Sequence, residues 1–310
     1  MASLGYTNTE LLLSSLKDYV KINLKDTQKI VSTVKSGIID ERDELPMIMI
    51  LPMYEEISRF YTDNLHEIKT DFRLDIINKA YHIEDLKDSL KNKLSALRAL
   101  FSIETLGWTL PDTNGLLQAS DFWVGNEQFG EPINNENQYT QYCSLPISLR
   151  SYFKGNGVLS TALYELTFIE LLDYLYAQIK TFTSFVEHWR DISKPINLNN
   201  FPAIGVFLQN ADTDKDEQSS TEFDKINVVF RIYSNLASRE IAFINHLRNV
   251  ETVKTWILNN SDLQGRLQEF TLSSIDYGID NIVRPFQGQT QEFPVFRSDI
   301  LTICKLINYS

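Results

Sequence analysis

Shifted by 156 positions, this sequence meets residues of the same kind in the same order, and no other feature constrains its fold as much. Leu12, Leu13 and Leu16 fall on Phe168, Ile169 and Leu172, while Tyr19 and Val20 fall on Leu175 and Tyr176. Leu45-Pro46 falls on Phe201-Pro202, Ile48 on Ile204 and Ile50 on Val206. Phe72, Leu74 and Ile76 meet Val228, Phe230 and Ile232. Leu94, Leu97, Leu100 and Phe101 meet Val250, Val253, Trp256 and Ile257, and Leu145 and Ile147 meet Leu301 and Ile303. Leu90 meets His246, Leu149 meets Lys305, and few residues are identical. An ungapped shift that keeps helix, strand, strand, helix and strand in order points to duplication of one domain, with copies at 1–155 and 156–310. Two unrelated α+β domains of similar size are the alternative. With 310 residues, 43% of them apolar, the chain is long enough for two cores.

Within the first copy, Thr7-Asn8-Thr9-Glu10 has the form of a helix-starting capping box. Apolar residues from Leu12 to Val31 recur at helical spacing, with Gly37 as the expected stop. Leu45 to Leu51 is a short apolar run closed by prolines and reads as a buried strand lying between them. Phe72, Leu74 and Ile76 alternate with Arg73 and Asp75, the period of a strand. Ile83, Leu86, Leu90, Leu94, Leu97 and Phe101 form the apolar stripe of a second helix. Two further strands are expected at 121–125 and 143–153, joined by a polar connection, and Lys154-Gly-Asn-Gly157 reads as a linker. The fold class expected is α+β. Each of two similar domains would hold a mixed or antiparallel sheet packed against a long N-terminal helix and a second amphipathic helix.

The catalytic and binding inventory is thin. Asp212, Asp214 and Asp216 sit at alternate positions, the pattern of carboxylates converging on a hard cation. An EF-hand reading fails, because Glu217 stands where glycine is needed and Phe223 where the bidentate glutamate belongs. A solvated loop is the better expectation, and the three aspartates remain weak metal candidates. No phosphate-binding glycine loop, metalloprotease histidine pair or nucleophile elbow occurs, so neither a catalytic residue nor a cofactor is expected. Cys143 and Cys304 lack a neighbouring histidine and read as buried core cysteines. His246 reads as a core or helix-face histidine, and Glu55-Glu56 and Asp40 to Glu44 as solvated charge.

Charge limits the partners. There are 41 acids against 29 Lys plus Arg, a net charge of -12, which disfavours wrapping nucleic acid or docking on an anionic membrane. Between Arg98 and Arg150 there is no Lys, Arg or His, but there are six acids: Glu104, Asp112, Asp121, Glu127, Glu131 and Glu136. That segment is expected to give one negative face, suited either to avoiding a polyanion or to docking on a basic partner. No apolar run has the roughly 18 to 20 residues of a membrane helix, and no cationic region precedes an apolar stretch at the start. A chain without a membrane anchor or secretory leader is expected.

The order of helix, strand Leu45 to Leu51, strand Phe72 to Ile77, helix Ile83 to Phe101 and strands ending in Leu145-Pro-Ile-Ser-Leu-Arg-Ser-Tyr resembles the tail-terminator and neck proteins of tailed bacteriophages. Phe201-Pro-Ala-Ile-Gly-Val and Val228-Val-Phe230-Arg-Ile232 repeat it in the second half. The resemblance implies a virion structural protein without catalytic residues. It implies a homo-oligomeric ring that ends the tail tube or joins it to the head connector, with DNA passing through an acidic lumen and no sequence-specific contact. Two copies per chain depart from the usual single-domain form. Competing readings are a tail-associated adaptor or baseplate protein, and a calcium-dependent binding module or enzyme with its site between the halves.

Overall fold

Leucine spacing sets the first element: helix α1 (Thr9–Val20) buries Leu12, Leu13, Leu16 and Val20, one side of a 3.6-residue period. The fold is described from a computed structural model over residues 9–40, 42–60, 65–101, 121–135, 138–154, 167–191, 200–215, 222–236, 239–260, 263, 267, 269–286 and 289–308. A π-helical stretch, Lys21–Thr27, prolongs α1, and the chain then turns extended into strand β1 (Thr33–Ser36). The helix expected to reach Gly37 therefore ends earlier. Lys29 takes a positive φ of 55°, and β-branched Val31, Thr33 and Val34 favour the extended chain. Gly37, at φ 93°, ends a strand rather than a helix.

Strand β2 (Met47–Phe60) begins in the expected apolar run but continues through Pro52 instead of stopping there. β1 pairs with β2 in parallel only from Met47 to Ile50, so Pro52, which has no N–H to give, lies beyond that ladder. β3 (Leu65–Ala80) carries the alternation read from Phe72, Leu74 and Ile76, all buried. Helix α2 (Ile83–Leu100) buries Leu86, Leu90, Leu94, Leu97 and Leu100 as the stripe predicts, with Glu84 and Asp85 in its first turn and Arg98 in its last, where the dipole favours them. Tyr19 of α1 donates to the Leu100 carbonyl (3.0 Å) and meets the Phe101 ring edge-on. Three short strands, β4 (Asp121–Val124), β5 (Gln128–Phe129) and β6 (Ile133–Asn135), pair antiparallel with the long β7 (Gln138–Lys154). The connection expected to be merely polar thus contains two of them.

The chain forms two compact units: Met1–Glu55, Glu67–Phe153 and Arg239–Ile244 make unit 1, and Glu56–His66, Lys154–Ser238 and Asn245–Ser310 make unit 2. In unit 1 the strand order is β4-β7-β3-β2, with β1 on β2. Glu240 belongs to this unit and receives Lys17 (3.1 Å) and the Ser36 hydroxyl (3.2 Å). The second half supplies α3 (Phe168–Ile179), β8 (Glu187–Arg190), β9 (Ala203–Lys215), β10 (Glu222–Asn235), α4 (Arg239–Asn259), β11 (Glu269–Phe286) and β12 (Gln289–Asn308). Their order in unit 2 is β11-β12-β10-β9-β8, antiparallel except for β8 on β9. In both units a short parallel strand lies beside a long strand that follows a cis-proline. The Pro46 carbonyl accepts from Ser32 N (2.7 Å) and the Pro202 carbonyl from Val186 N (2.8 Å). The protein is α+β, with mostly antiparallel strand pairing and four α-helices among the described residues.

Burial refines the 156-residue shift. Ile48 and Ile204, Ile50 and Val206, Phe72 and Val228, Leu74 and Phe230, Ile76 and Ile232, Leu94 and Val250, and Leu97 and Val253 are all buried. The first helices do not follow it. Leu171, Leu172, Leu175 and Ile179 are the buried side of α3, while Phe168 and Ile169, the expected counterparts of Leu12 and Leu13, are exposed. The burial patterns of α1 and α3 coincide three residues further along, close to one helical turn. In the last strand Leu145 and Ile147 are buried, but Leu301 and Ile303 are only half-buried; Ile300 and Thr302 are buried instead. A slip of one residue exchanges the faces of a strand, so the ungapped shift fails at both ends.

Candidate functional site

Of the aspartates singled out as weak metal candidates, Asp212 and Asp214 lie in a strand and not in the expected loop. Asp212, Thr213 and Asp214 lie in β9, paired with Lys225, Asp224 and Phe223, and Asp216 lies outside the described residues. Extended backbone holds alternate positions about 7 Å apart instead of curling them round a cation. Among the described residues no group of three or more His, Cys, Asp or Glu side chains is placed to hold a metal ion. Residues 155–157 of the expected linker, and Glu104, Asp112 and Glu136 of the acidic segment, are also outside the described residues. Glu127 of that segment is paired with Arg98.

Other candidates change character. Glu55 is fully buried and accepts from the Thr9 hydroxyl, so it is not solvated charge. Asp43 receives Lys35 in a largely buried pair and accepts from Asp40 N. Cys143 and Cys304 are free and buried as expected. Burial, with the Glu127 charge adding to it, pushes the Cys143 thiol up to about 11, and burial raises Cys304 further, so neither is a ready thiolate.

Unit 1 contains a cavity of about 420 Å³. The strand period builds it: Phe72, Leu74, Ile76, Cys143 and Leu145 occupy the buried positions of β3 and β7, leaving Arg73, Asp75, Ile77, Tyr142 and Ser144 to line the cavity. Met49, Ile39, Ile133, Gln128, Thr140 and Gln141 complete the wall. The polar groups are tied together. The Ser144 hydroxyl donates to Asp75 Oδ1 (2.5 Å) and Arg73 Nε donates to Asp75 Oδ2 (3.0 Å), so a carboxylate with only 7% exposure orients a guanidinium 40% exposed. Arg73 has no further partner among the described residues, which leaves its Nη edge free. Gln141, 6% exposed, donates from Nε2 to the Gly130 carbonyl (2.7 Å), and its buried Oε1 has no partner among the described residues. Glycine is required at 130, because a Cβ there would stand 2.2 Å from the Tyr142 ring. In sequence Arg73 and Asp75 read only as the polar partners in an alternating strand, and nothing there singles out Gln141 or Ser144.

The matching face of unit 2 is filled. Trp189 of β8 stacks on Tyr233 of β10 (5.7 Å between centroids, 21° between planes), with Ala203, Ile282 and Val295 packed around them. Tyr233 stands at the register of Ile77, and Gly205 at that of Met49. A Cβ on Gly205 would fall 1.9 Å from the Trp189 ring, so the indole occupies the space a side chain would need. Arg231 at the register of Asp75 is closed off by a two-point bond to Asp299 (2.5 and 2.7 Å).

His246 is the second polar cluster. It is buried in unit 2, with Nδ1 2.9 Å from Ser234 Oγ, Nε2 2.8 Å from Ser298 Oγ, and its ring stacked on Phe296. A neutral imidazole donates at one nitrogen and accepts at the other, so two hydroxyls satisfy it. Burial pushes its pKa down to about 3. Both serines are buried, which makes this a satisfied core network, as the replacement of a core leucine predicts, and not a nucleophile with a base. No helix among the described residues is long and apolar enough to cross a membrane. No family model matches the sequence, and no curated protein is significantly similar to it.

Proposed function

We propose that the chain is a virion structural protein of the neck or tail end of a tailed phage, built as a tandem duplication of one α+β domain. The copies are residues 1–155 and 156–310, and each packs its sheet against an N-terminal and a second helix. The observation that carries the duplication is the common strand order: short parallel strand, long strand after proline, long neighbouring strand, then a last long strand with one further partner, in both units. In unit 2 the packing reading is supported by Trp256 of α4, whose ring meets Phe230 and Phe270 of the sheet edge-on. Element order in each unit agrees with what resemblance to tail terminators implies.

The role is geometric and not catalytic. Two like domains in one chain place two like surfaces in series, and copies related by rotation close into a ring when the rotation divides a full turn. The ring would end the tail tube or join it to the head connector. An acidic lumen would let DNA slide, since few Lys or Arg side chains are there to release counterions from phosphate. Electron microscopy of the purified chain mixed with isolated tail tubes tests this. Rings seated on one tube end are expected; tubes left bare at every protein concentration would overturn it.

A further inference from the structure

Strand pairing gathers the polar wall of the unit 1 cavity onto one side of the sheet. Thr140, Tyr142 and Ser144 alternate with Gln141, Cys143 and Leu145 along β7, so they share one face. Gln128 of β5 stands opposite Ser144, and Ile133 of β6 opposite Thr140, which puts both on that face. The Ser144 hydroxyl reaches Asp75, so Arg73, Asp75 and Ile77 of β3 come to the same side. The enclosed volume, about 420 Å³, lies within the range of roughly 300 to 1,000 Å³ that small-ligand sites occupy.

The unused groups of this wall set the chemistry of its ligand. Asp75 is held by Ser144 and Arg73, and the Nη edge of Arg73 stays free among the described residues. The Gln128 amide and the Thr140 and Tyr142 hydroxyls also have no hydrogen-bond partner among the described residues. An amide and a hydroxyl each both donate and accept, so groups that do the same answer them best. One peptide unit, with a single N–H and a single C=O, would leave most of them unmet. The charged groups lining the cavity are one Arg and one Asp, already paired, so an ion is not favoured. Ile39, Met49, Ile77 and Ile133 in turn require an apolar surface on whatever enters. A saturated ring with C–H faces and a rim of several hydroxyls meets all of these demands. We propose that the cavity binds a neutral saccharide, one hexopyranose ring with its hydroxyls on Arg73, Asp75, Gln128, Thr140 and Tyr142 and a C–H face on the isoleucines. On the matching face of unit 2, Trp189 lies over Gly205 and stacks on Tyr233, so that face offers no second site.

The inference does not depend on ring formation. D-glucose, D-galactose, D-mannose and N-acetyl-D-glucosamine are the probes, each titrated onto the full chain and followed by saturation-transfer NMR. D-glucuronate is the charged comparison, and cyclohexanol is the ring with a single hydroxyl. Saturable binding of at least one neutral sugar, tighter than either comparison, is expected. Thr140→Val, which removes one hydroxyl and keeps the branched shape, should weaken that sugar about three- to tenfold. Arg73→Lys, which keeps a cation beside Asp75 but loses the planar fork, should weaken it about tenfold. Ile133→Trp, at an exposed wall position, should block binding while leaving the urea unfolding midpoint in place. No saturable binding of any of the four sugars, tighter binding of glucuronate or cyclohexanol than of every neutral sugar, or sugar binding unchanged in all three variants would each overturn the proposal.

Discussion

At the scale of single residues, His246 makes the clearest statement about conditions. Its pKa is near 3 in the fold against an ordinary value of 6.5, because burial penalises the charged ring. The folded value lies below the unfolded one, so below pH 6.5 the unfolded chain binds a proton that the native chain does not. Stability should therefore be unaffected by this group above about pH 7 and should fall by up to about 1.4 kcal/mol per pH unit between 6.5 and 3. Urea unfolding across that range, compared with His246→Leu, checks it: the leucine variant should lose the slope. Gly205 is the second test. With the Trp189 ring 1.9 Å from any added Cβ, Gly205→Ala must displace the indole from Tyr233 and should cost about 1 to 3 kcal/mol, read from urea midpoints and tryptophan fluorescence.

At the scale of elements, cross-strand pairs carry the register. Arg231 on β10 faces Asp299 on β12, both mostly buried, and their two-point bond pins that pairing. Asp299→Leu alone should cost about 3 kcal/mol or more by taking its carboxylate partner from a mostly buried guanidinium, whereas adding Arg231→Met should return much of it; a double-mutant cycle in urea measures the difference. The elements also show how far a sequence of this kind can be read. α2 was legible because its leucines keep one period for about four turns, and β3 and β10 because Phe72 to Ile76 and Val228 to Ile232 alternate. β1 was not legible, because Val31 and Val34 continue the spacing of α1 by coincidence and only the β-branched residues distinguish the two. β9 from Asp212 onward reads in sequence as a loop, since Asp212 and Asp214 are poor strand formers held extended by their partners on β10. β5 and β6, at two and three residues, are too short to have any period and exist because β7 offers them an edge. The cavity was hidden for a different reason: Arg73 and Asp75 become a site only when β7 brings Ser144 and Gln141 alongside.

At the scale of the whole molecule, charge and repetition meet. The halves divided at residue 155 each carry -6, so the total of -12 belongs to neither alone. Equal acidity in two units of the same strand order is what the proposed duplication of one acidic domain would leave behind. The two units differ on one face, which stays open around Arg73 in unit 1 and is closed by Trp189 and Tyr233 in unit 2. A ring of such chains would alternate open and filled faces and so have half the symmetry of its domain count. Electron-microscopic class averages of the purified chain, with the particle mass measured in parallel, test this most directly. Closed rings with twice as many lobes as chains around a central opening are expected; a particle of one chain's mass at every concentration, without a lumen, would contradict the account.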